Sequence, residues 1–173
     1  MNTTRLVAIL AYSATVLLIA RPAVNAPSPS PMEHPLRKSR ILQLSLAAEV
    51  LRSAYAFNAA QVGYGGITPT EVLAWRVIVQ SPTRDSLFRD LLMTGTLAGQ
   101  LYALAGLRYD LYVVGSDSSA YWSASARLHR NFQWVPTAIG CIGGSSMQNE
   151  LAKEIDSGSW TREFITGRLL PHH

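Results

Sequence analysis

Thr96-Leu97-Ala98-Gly99-Gln100-Leu101-Tyr102-Ala103-Leu104-Ala105-Gly106-Leu107 is the stretch that decides how this chain reads. Thr96 stands at the head of an apolar run. From there a side-chain oxygen can accept a hydrogen bond from one of the first free amides of a helix. The helix it opens extends from Leu97 to about Arg108. Ala98, Gly99, Ala103, Ala105 and Gly106 are small and let neighbouring elements approach closely. A glycine inside a helix costs roughly 1 kcal/mol relative to alanine. Gly99 and Gly106 are therefore expected to be contact points, with the helix Pro69 to Gln80 as the expected neighbour. Gln100 is the one polar side chain within the run. It is expected to bond a buried backbone group at the helix junction, where donors and acceptors remain to be satisfied.

Working outward, Gly95 stops the preceding helix. In that helix Leu87, Phe88, Leu91 and Leu92 form one apolar face, and Arg84, Asp85, Arg89 and Asp90 the other. Ser81-Pro82 separates it from a helix that starts at Thr68-Pro69-Thr70-Glu71. There Thr68 is expected to cap, Pro69 fits the first helical position, and Glu71 can reach back to the Thr68 amide. Val72, Leu73, Trp75, Val77, Ile78 and Val79 make this helix apolar on most sides, which predicts deep burial. Gly63, Gly65 and Gly66 mark a turn. No Lys or Ser/Thr follows them in phosphate-loop register. Leu36 to Phe57 reads as another helix, with Ile41, Leu42, Leu44, Ala48, Leu51 and Tyr55 on its apolar side. Three short helices joined by tight turns resemble a HEAT-type hairpin plus one helix. No second copy recurs at a fixed period, so a solenoid array is not expected.

Tyr109 to Ile142 carries weaker signals. Tyr112-Val113-Val114 and Phe132 to Ile139 read as short strands, and Gly115 to Ser119 as a polar loop without the ligand ladder of a calcium site. Ser145 and Gln148 predict a capping box for a last amphipathic helix, with Leu151 and Ile155 inward and Gly158 as its stop. Trp160 to Ile165 adds a further helical turn. The fold class is mainly α: a compact helical domain with HEAT-like packing and room for a small β-hairpin in the C-terminal half.

The chain opens differently. Arg5 precedes the uncharged stretch Leu6 to Ala20, which is shorter than the roughly 20 residues of a membrane span and suits the apolar core of a secretory signal. Val24 and Ala26 stand at the −3 and −1 positions of a cleavage site, but Pro27 would follow the cut, so an uncleaved anchor is the alternative. Pro27, Pro29, Pro31 and Pro35 make an extended spacer. The expected organisation is a signal segment over 1–26, a spacer over 27–35, one helical domain over 36–168 and a flexible tail over 169–173. The location expected is secreted or periplasmic, with membrane contact only through an uncleaved leader.

Composition narrows function by exclusion. The 173 residues are 48% hydrophobic and 15% charged, which argues for a folded domain. The net charge of +4 falls to +2 without Arg5 and Arg21. The remaining basic residues form only short groups, Arg37-Lys38-Arg40 and Arg127/Arg130, too dispersed for a nucleic-acid surface. No cofactor motif, no paired carboxylates and no histidine pair with metal-ligand spacing is present. His172 and His173 read as a frayed end. Trp75 is expected in the core; Trp122 and Trp134 either cover it or line a surface. The only catalytic candidates are Cys141 as a thiol nucleophile and His129 as its base. Ile139 stands where a nucleophile elbow has glycine, and the isoleucines flanking Cys141 suit a buried small hydrophobe. The reading is an exported binding or structural protein with a protein or cell-envelope partner and no cofactor; the alternative is a small thiol enzyme using Cys141 with His129.

Val62-Gly63-Tyr64-Gly65-Gly66, the Thr96–Leu107 run, Gly140-Cys141 and Ser157-Gly158-Ser159-Trp160 together resemble a group of short, uncharacterised exported bacterial proteins. The similarity spans most of Leu51 to Phe164. Such relatives carry proline at the Leu97 position and a second cysteine at the Ala105 position. The resemblance implies a disulfide there that Ala105 prevents here. It implies export and a common fold, and no reaction.

Overall fold

The computed structural model describes residues 33–115 and 119–167. The expected signal segment, most of the spacer, the tail and Ser116 to Ser118 lie outside the described residues. Seven α-helices, a π-helical turn and a three-stranded sheet follow one another within them. Helix α1 (Glu33–Arg52) begins inside the stretch read as spacer. Pro35 is tolerated because the first-turn amides of a helix have no intrahelical partner. The helix ends at Arg52, and Phe57 opens strand β1 (Phe57–Val62), which the sequence pattern did not show. Leu51 and Ala48 are buried, whereas Ile41, Leu42 and Tyr55 are exposed. The apolar side of α1 is therefore only partly covered.

Helix α2 (Thr70–Val79) starts one residue later than predicted, and Pro69 occupies the cap position without a side-chain cap bond. Its Val72, Ala74, Trp75 and Ile78 are buried, but Leu73 and Val77 are exposed, so the expected all-round burial does not hold. Helix α3 (Arg84–Thr94) buries Phe88, Leu91 and Leu92 as expected. Helix α4 (Leu97–Tyr109) is the centre of the molecule, with every residue from Leu101 to Leu107 buried. Thr96 caps it by accepting from the Gly99 amide at 3.1 Å. Gln100 donates to the Gly95 carbonyl at 3.1 Å, the junction role expected of it.

Both glycines of α4 are contact points. A Cβ on Gly99 would lie 2.4 Å from the Leu51 carbonyl oxygen, and one on Gly106 would lie 2.3 Å from the Phe88 ring. The neighbours are thus α1 and α3, not α2. What holds α2 to α4 is Trp75, whose indole N–H donates to the Tyr102 carbonyl at 3.1 Å. Phe57, Trp160 and Phe164 gather around Tyr102, with Phe57 4.8 Å and Phe164 5.6 Å from it centroid to centroid. Such tilted and stacked ring pairs contribute about 0.5–1.5 kcal/mol each beyond area burial.

Past α4 the chain departs from expectation. Asp110–Val114 is a π-helical turn continuing α4 rather than a strand. It ends at Gly115, where φ is +78°. Helix α5 (Ser119–Leu128) was not anticipated. Strand β2 (Trp134–Gly140) was, but β3 (Ile142–Met147) replaces the predicted capping box. Ser145 pairs across the hairpin with Pro136. The Gln148 side-chain Nε2 instead donates to the Leu97 carbonyl at 3.0 Å, fastening the start of α6 (Gln148–Ser157) to the start of α4. Gly158, with φ +88°, stops α6, and α7 (Ser159–Thr166) completes the fold.

The sheet order is β1-β2-β3, with β1 parallel to β2 and β2 antiparallel to β3. The outer amides of β1 find partners other than a strand. The Asn58 N–H donates to the Tyr102 hydroxyl at 2.9 Å, the Ala60 N–H to the Glu163 carboxylate at 2.6 Å, and the Val62 N–H to the Ile67 carbonyl at 2.9 Å. Among the described residues no helix is long and apolar enough to cross a membrane.

Candidate functional site

Two regions concentrate side chains beyond what the core requires: a polar centre on α5 and α6, and an apolar groove between α1 and α2. The polar centre follows from helical spacing. Tyr121, Ser125 and His129 recur every four residues and so share one side of α5 and its end. They converge on Asp156 near the end of α6. The Tyr121 hydroxyl donates to Asp156 Oδ1, and Ser125 Oγ donates to Oδ2 at 2.8 Å. His129 Nε2 lies 2.8 Å from the same Oδ2 but off the axis of a hydrogen bond. Arg108 donates to the Asp156 carbonyl at 2.9 Å and covers the Tyr112 ring at 4.4 Å. Burial, reinforced by the adjoining carboxylate, pushes the Tyr121 phenol well above the usual tyrosine range.

Sequence reasoning missed this set. The 121/125/129 recurrence was its only signal, and it lay in residues 120–131, between the expected loop and the second expected strand, to which no element was assigned. The set contains the side-chain types of a hydrolase triad, but its wiring differs. A triad runs nucleophile to base to carboxylate. Here the carboxylate is central, and the Ser125 hydroxyl donates its hydrogen bond to Asp156 rather than to His129. Ser125 and Tyr121 are also buried. The centre locks α5 to α6.

Cys141 is exposed at the turn between β2 and β3, not buried as its isoleucine neighbours suggested. His129 lies at the opposite end of the hairpin, beside Asn131 and Gln133, which bond the start of α6. Seven extended residues of β2 intervene, about 20 Å at the usual strand rise. The fold does not bring the two catalytic candidates together. Of the tryptophans, Trp75 and Trp160 are buried, while Trp122 and Trp134 are exposed. The glycine-rich stretch forms the expected turn, in which the Gly63 amide donates to the Gly140 carbonyl at 2.7 Å. Ala105 is buried in α4, and the two terminal histidines lie outside the described residues. Among the described residues no group of His, Cys, Asp and Glu is placed to hold a metal ion.

The groove lies along two antiparallel helices. Arg40, Gln43 and Leu44 of α1 meet Val77 and Gln80 of α2 at one end. Toward the other end the walls are Leu46, Ala47 and Val50 against Thr70, Leu73 and Ala74, enclosing about 350 Å³. Leu42 and Leu46 sit one turn apart on α1, as Leu73 and Val77 do on α2, and all four are exposed. A second concavity of about 340 Å³ lies between α3 and α5. The two arginines on its rim are already engaged, Arg89 with Asp85 at 2.8 Å and Arg127 with the Leu92 carbonyl at 2.7 Å.

Compared with known protein families, curated proteins and solved structures, the chain has no significant match to any of them.

Proposed function

We propose that this protein is an exported, non-catalytic binding or structural protein that works through the α1–α2 groove. One observation carries the reading: the exposed aliphatic side chains Leu46, Leu73 and Val77 line an open apolar concavity. Apolar area held in water is unfavourable unless something covers it in use. The chemistry-bearing groups, by contrast, are engaged with one another around Asp156. Export rests on the leader-like stretch Leu6 to Ala20 and agrees with the resemblance to short exported proteins. HEAT-like packing of α2, α3 and α4 rests on the helix-turn pattern alone. The partner class that fits is a protein or an assembly of the cell envelope.

The alternative, a thiol enzyme using Cys141 with His129, has the exposure of Cys141 in its favour. The length of β2 stands against it. Complementation of a deletion strain separates the two. The binding reading expects Cys141→Ser and His129→Ala to restore the wild-type phenotype and Leu46→Asp with Leu73→Asp to fail. Failure of Cys141→Ser at normal protein level would overturn it. Fractionation of the same cells tests export, and a soluble cytoplasmic pool of the full-length chain would refute that part.

A further inference from the structure

We infer that strand β3 pairs edge to edge with β3 of a second copy of this chain, antiparallel across a two-fold axis at Ser145. The inference is independent of the reading of the groove. Its first ground is the open edge of the sheet. Gly140 and Cys141 form the turn between the paired residues Ile139 and Ile142, with φ +55° at Gly140 and no positive φ at Cys141. That is the II′ geometry, in which the two residues flanking the turn exchange both of their hydrogen bonds. Ile142, Gly144 and Ser146 therefore bond β2, and Gly143, Ser145 and Met147 turn their amides outward. Among the described residues none of these amides has a partner. Natural sheets protect such an edge with charge, proline, a bulge or a covering element. β3 has none of these. No charged residue occurs from Asn131 to Asn149, the pairing with β2 runs without a register shift, and Gly143, Gly144 and Ser145 are exposed. The β1 edge, by contrast, is closed by Tyr102, Glu163 and Ile67. The group that matches outward amides at strand spacing is another extended backbone.

The second ground is that this edge is complementary to itself. In an antiparallel pair centred on Ser145, residues equally far on either side of it stand opposite each other. Gly143 then faces Met147 of the other copy, and Gly144 faces Ser146. Each larger side chain meets a glycine. A Cβ at Gly143 or Gly144 would have nothing within 4 Å, so the Met147 side chain finds open space there. On one face of the joined sheet, Met147 of each copy lies between Trp134 of its own chain, its partner across the hairpin, and Gly143 of the other. Trp134 is 60% exposed in the single chain, and a thioether against an indole is a favourable contact. The Ser145 amide of each copy reaches the Ser145 carbonyl of the other, and the Met147 amide reaches the Gly143 carbonyl. The neighbouring registers fit less well. Centring the pair on Gly144 sets Met147 against Cys141 in the turn, and centring it on Ser146 sets Gly143 against Asn149 inside α6.

Sedimentation velocity of the protein purified from its host, over roughly 1 to 200 μM, tests this. The expected result is a concentration-dependent monomer–dimer equilibrium. Ser145→Pro deletes an outward amide, leaves the ladder to β2 intact and is compatible with an edge strand. Counted twice by symmetry, it should raise the dissociation constant by about 10-fold or more. Ser145→Lys and Ser145→Glu each set like charges opposite one another across the axis and should each weaken the homodimer by about 10-fold. Mixing the two variants should restore association, because the opposed charges are then unlike. That rescue also shows that both variants are folded. Cross-linking checks the register. In a Cys141→Ser background, Ser145→Cys should form a disulfide-linked dimer in air, its Cα atoms standing about 5.5 Å apart. Met147→Cys, about 14 Å from its own counterpart along the strands, should not link to itself but should link to Gly143→Cys on mixing. A monomer at the highest concentration, a dimer indifferent to Ser145→Pro, or a mixture of the two charge variants that stays monomeric overturns the inference. If the protein is monomeric and Ser145→Pro still fails complementation, the edge takes a strand of another protein and the second copy is ruled out.

Discussion

Replacing Gly99 by alanine should destabilise the protein although the substitution improves helix propensity. The added methyl would sit 2.4 Å from the Leu51 carbonyl oxygen and 3.3 Å from Thr96 Oγ1. Ordinary contact requires the end of α1 and the start of α4 to separate by roughly 0.8 Å or more, and both sides are close-packed. Two hydrogen bonds tie that junction, Thr96 N–H to the Arg52 carbonyl at 3.0 Å and Thr96 Oγ1 to the Ala54 carbonyl at 2.6 Å, and the Gly99 amide donates to the same Thr96 Oγ1 at 3.1 Å. Overpacking costs about 1–3 kcal/mol, and each loosened hydrogen bond adds about 1 kcal/mol. The gain in helix propensity returns about 1 kcal/mol. The net expectation is a loss of about 1–3 kcal/mol, which for a domain of this size lowers Tm by roughly 3–10 °C. Urea melts of the wild type and Gly99→Ala measure it. Gly143→Ala is the control, because nothing lies within 4 Å of a Cβ at Gly143. A Gly99→Ala variant as stable as the wild type, or more stable, would refute the close approach of α1 and α4.

Thr96→Ala removes the helix cap and the bond to Ala54 together and should cost about 1–2 kcal/mol in the same melts. Arg84→Met should cost more than Asp110→Asn. It leaves a buried carboxylate without the guanidinium that offsets its desolvation, a loss of about 2–3 kcal/mol once the partial exposure of Arg84 is allowed for. The Tyr102 and Tyr121 phenols are raised well above their ordinary value of 10.0, chiefly by burial. A raised folded-state value contributes stability that is complete below about pH 10 and is lost as pH climbs above it. Stability measured from pH 8 to 11 should fall at the alkaline end, and Tyr121→Phe should shallow that fall.

Helices α3 and α4 were legible because their signals are local and redundant: a hydroxyl cap at Thr96, a glycine stop at Gly95, and apolar spacing in Leu87-Phe88-Leu91-Leu92. Strand β3 was not legible. Gly143-Gly144-Ser145-Ser146 has no intrinsic strand preference, and only pairing with β2 holds it extended. Strand β1 failed for a related reason, since Ala59-Ala60-Gln61 suits a helix as well and the parallel pairing with distant residues decides it. The Asp156 centre required knowing that α5 exists. The groove was hidden by a reasonable rule: Leu73 and Val77 look like core in the sequence, and only the shape of the fold leaves them in water.

The outer side of β1 has a consequence for how copies of this protein can join through their sheets. A sheet lengthens without limit only if every added unit presents a fresh edge on its far side. Here the Tyr102 hydroxyl, the Glu163 carboxylate and the Ile67 carbonyl already hold the amides that a newcomer would need along β1. Any strand added to the native sheet must arrive at β3. Each copy therefore contributes one joining side, and a pair meeting there is complete. Growth into a fibre from the native state must first break the contacts of Tyr102 and Glu163, and these belong to the aromatic heart of the molecule. Two buried side chains thereby act as a chain terminator for polymerisation.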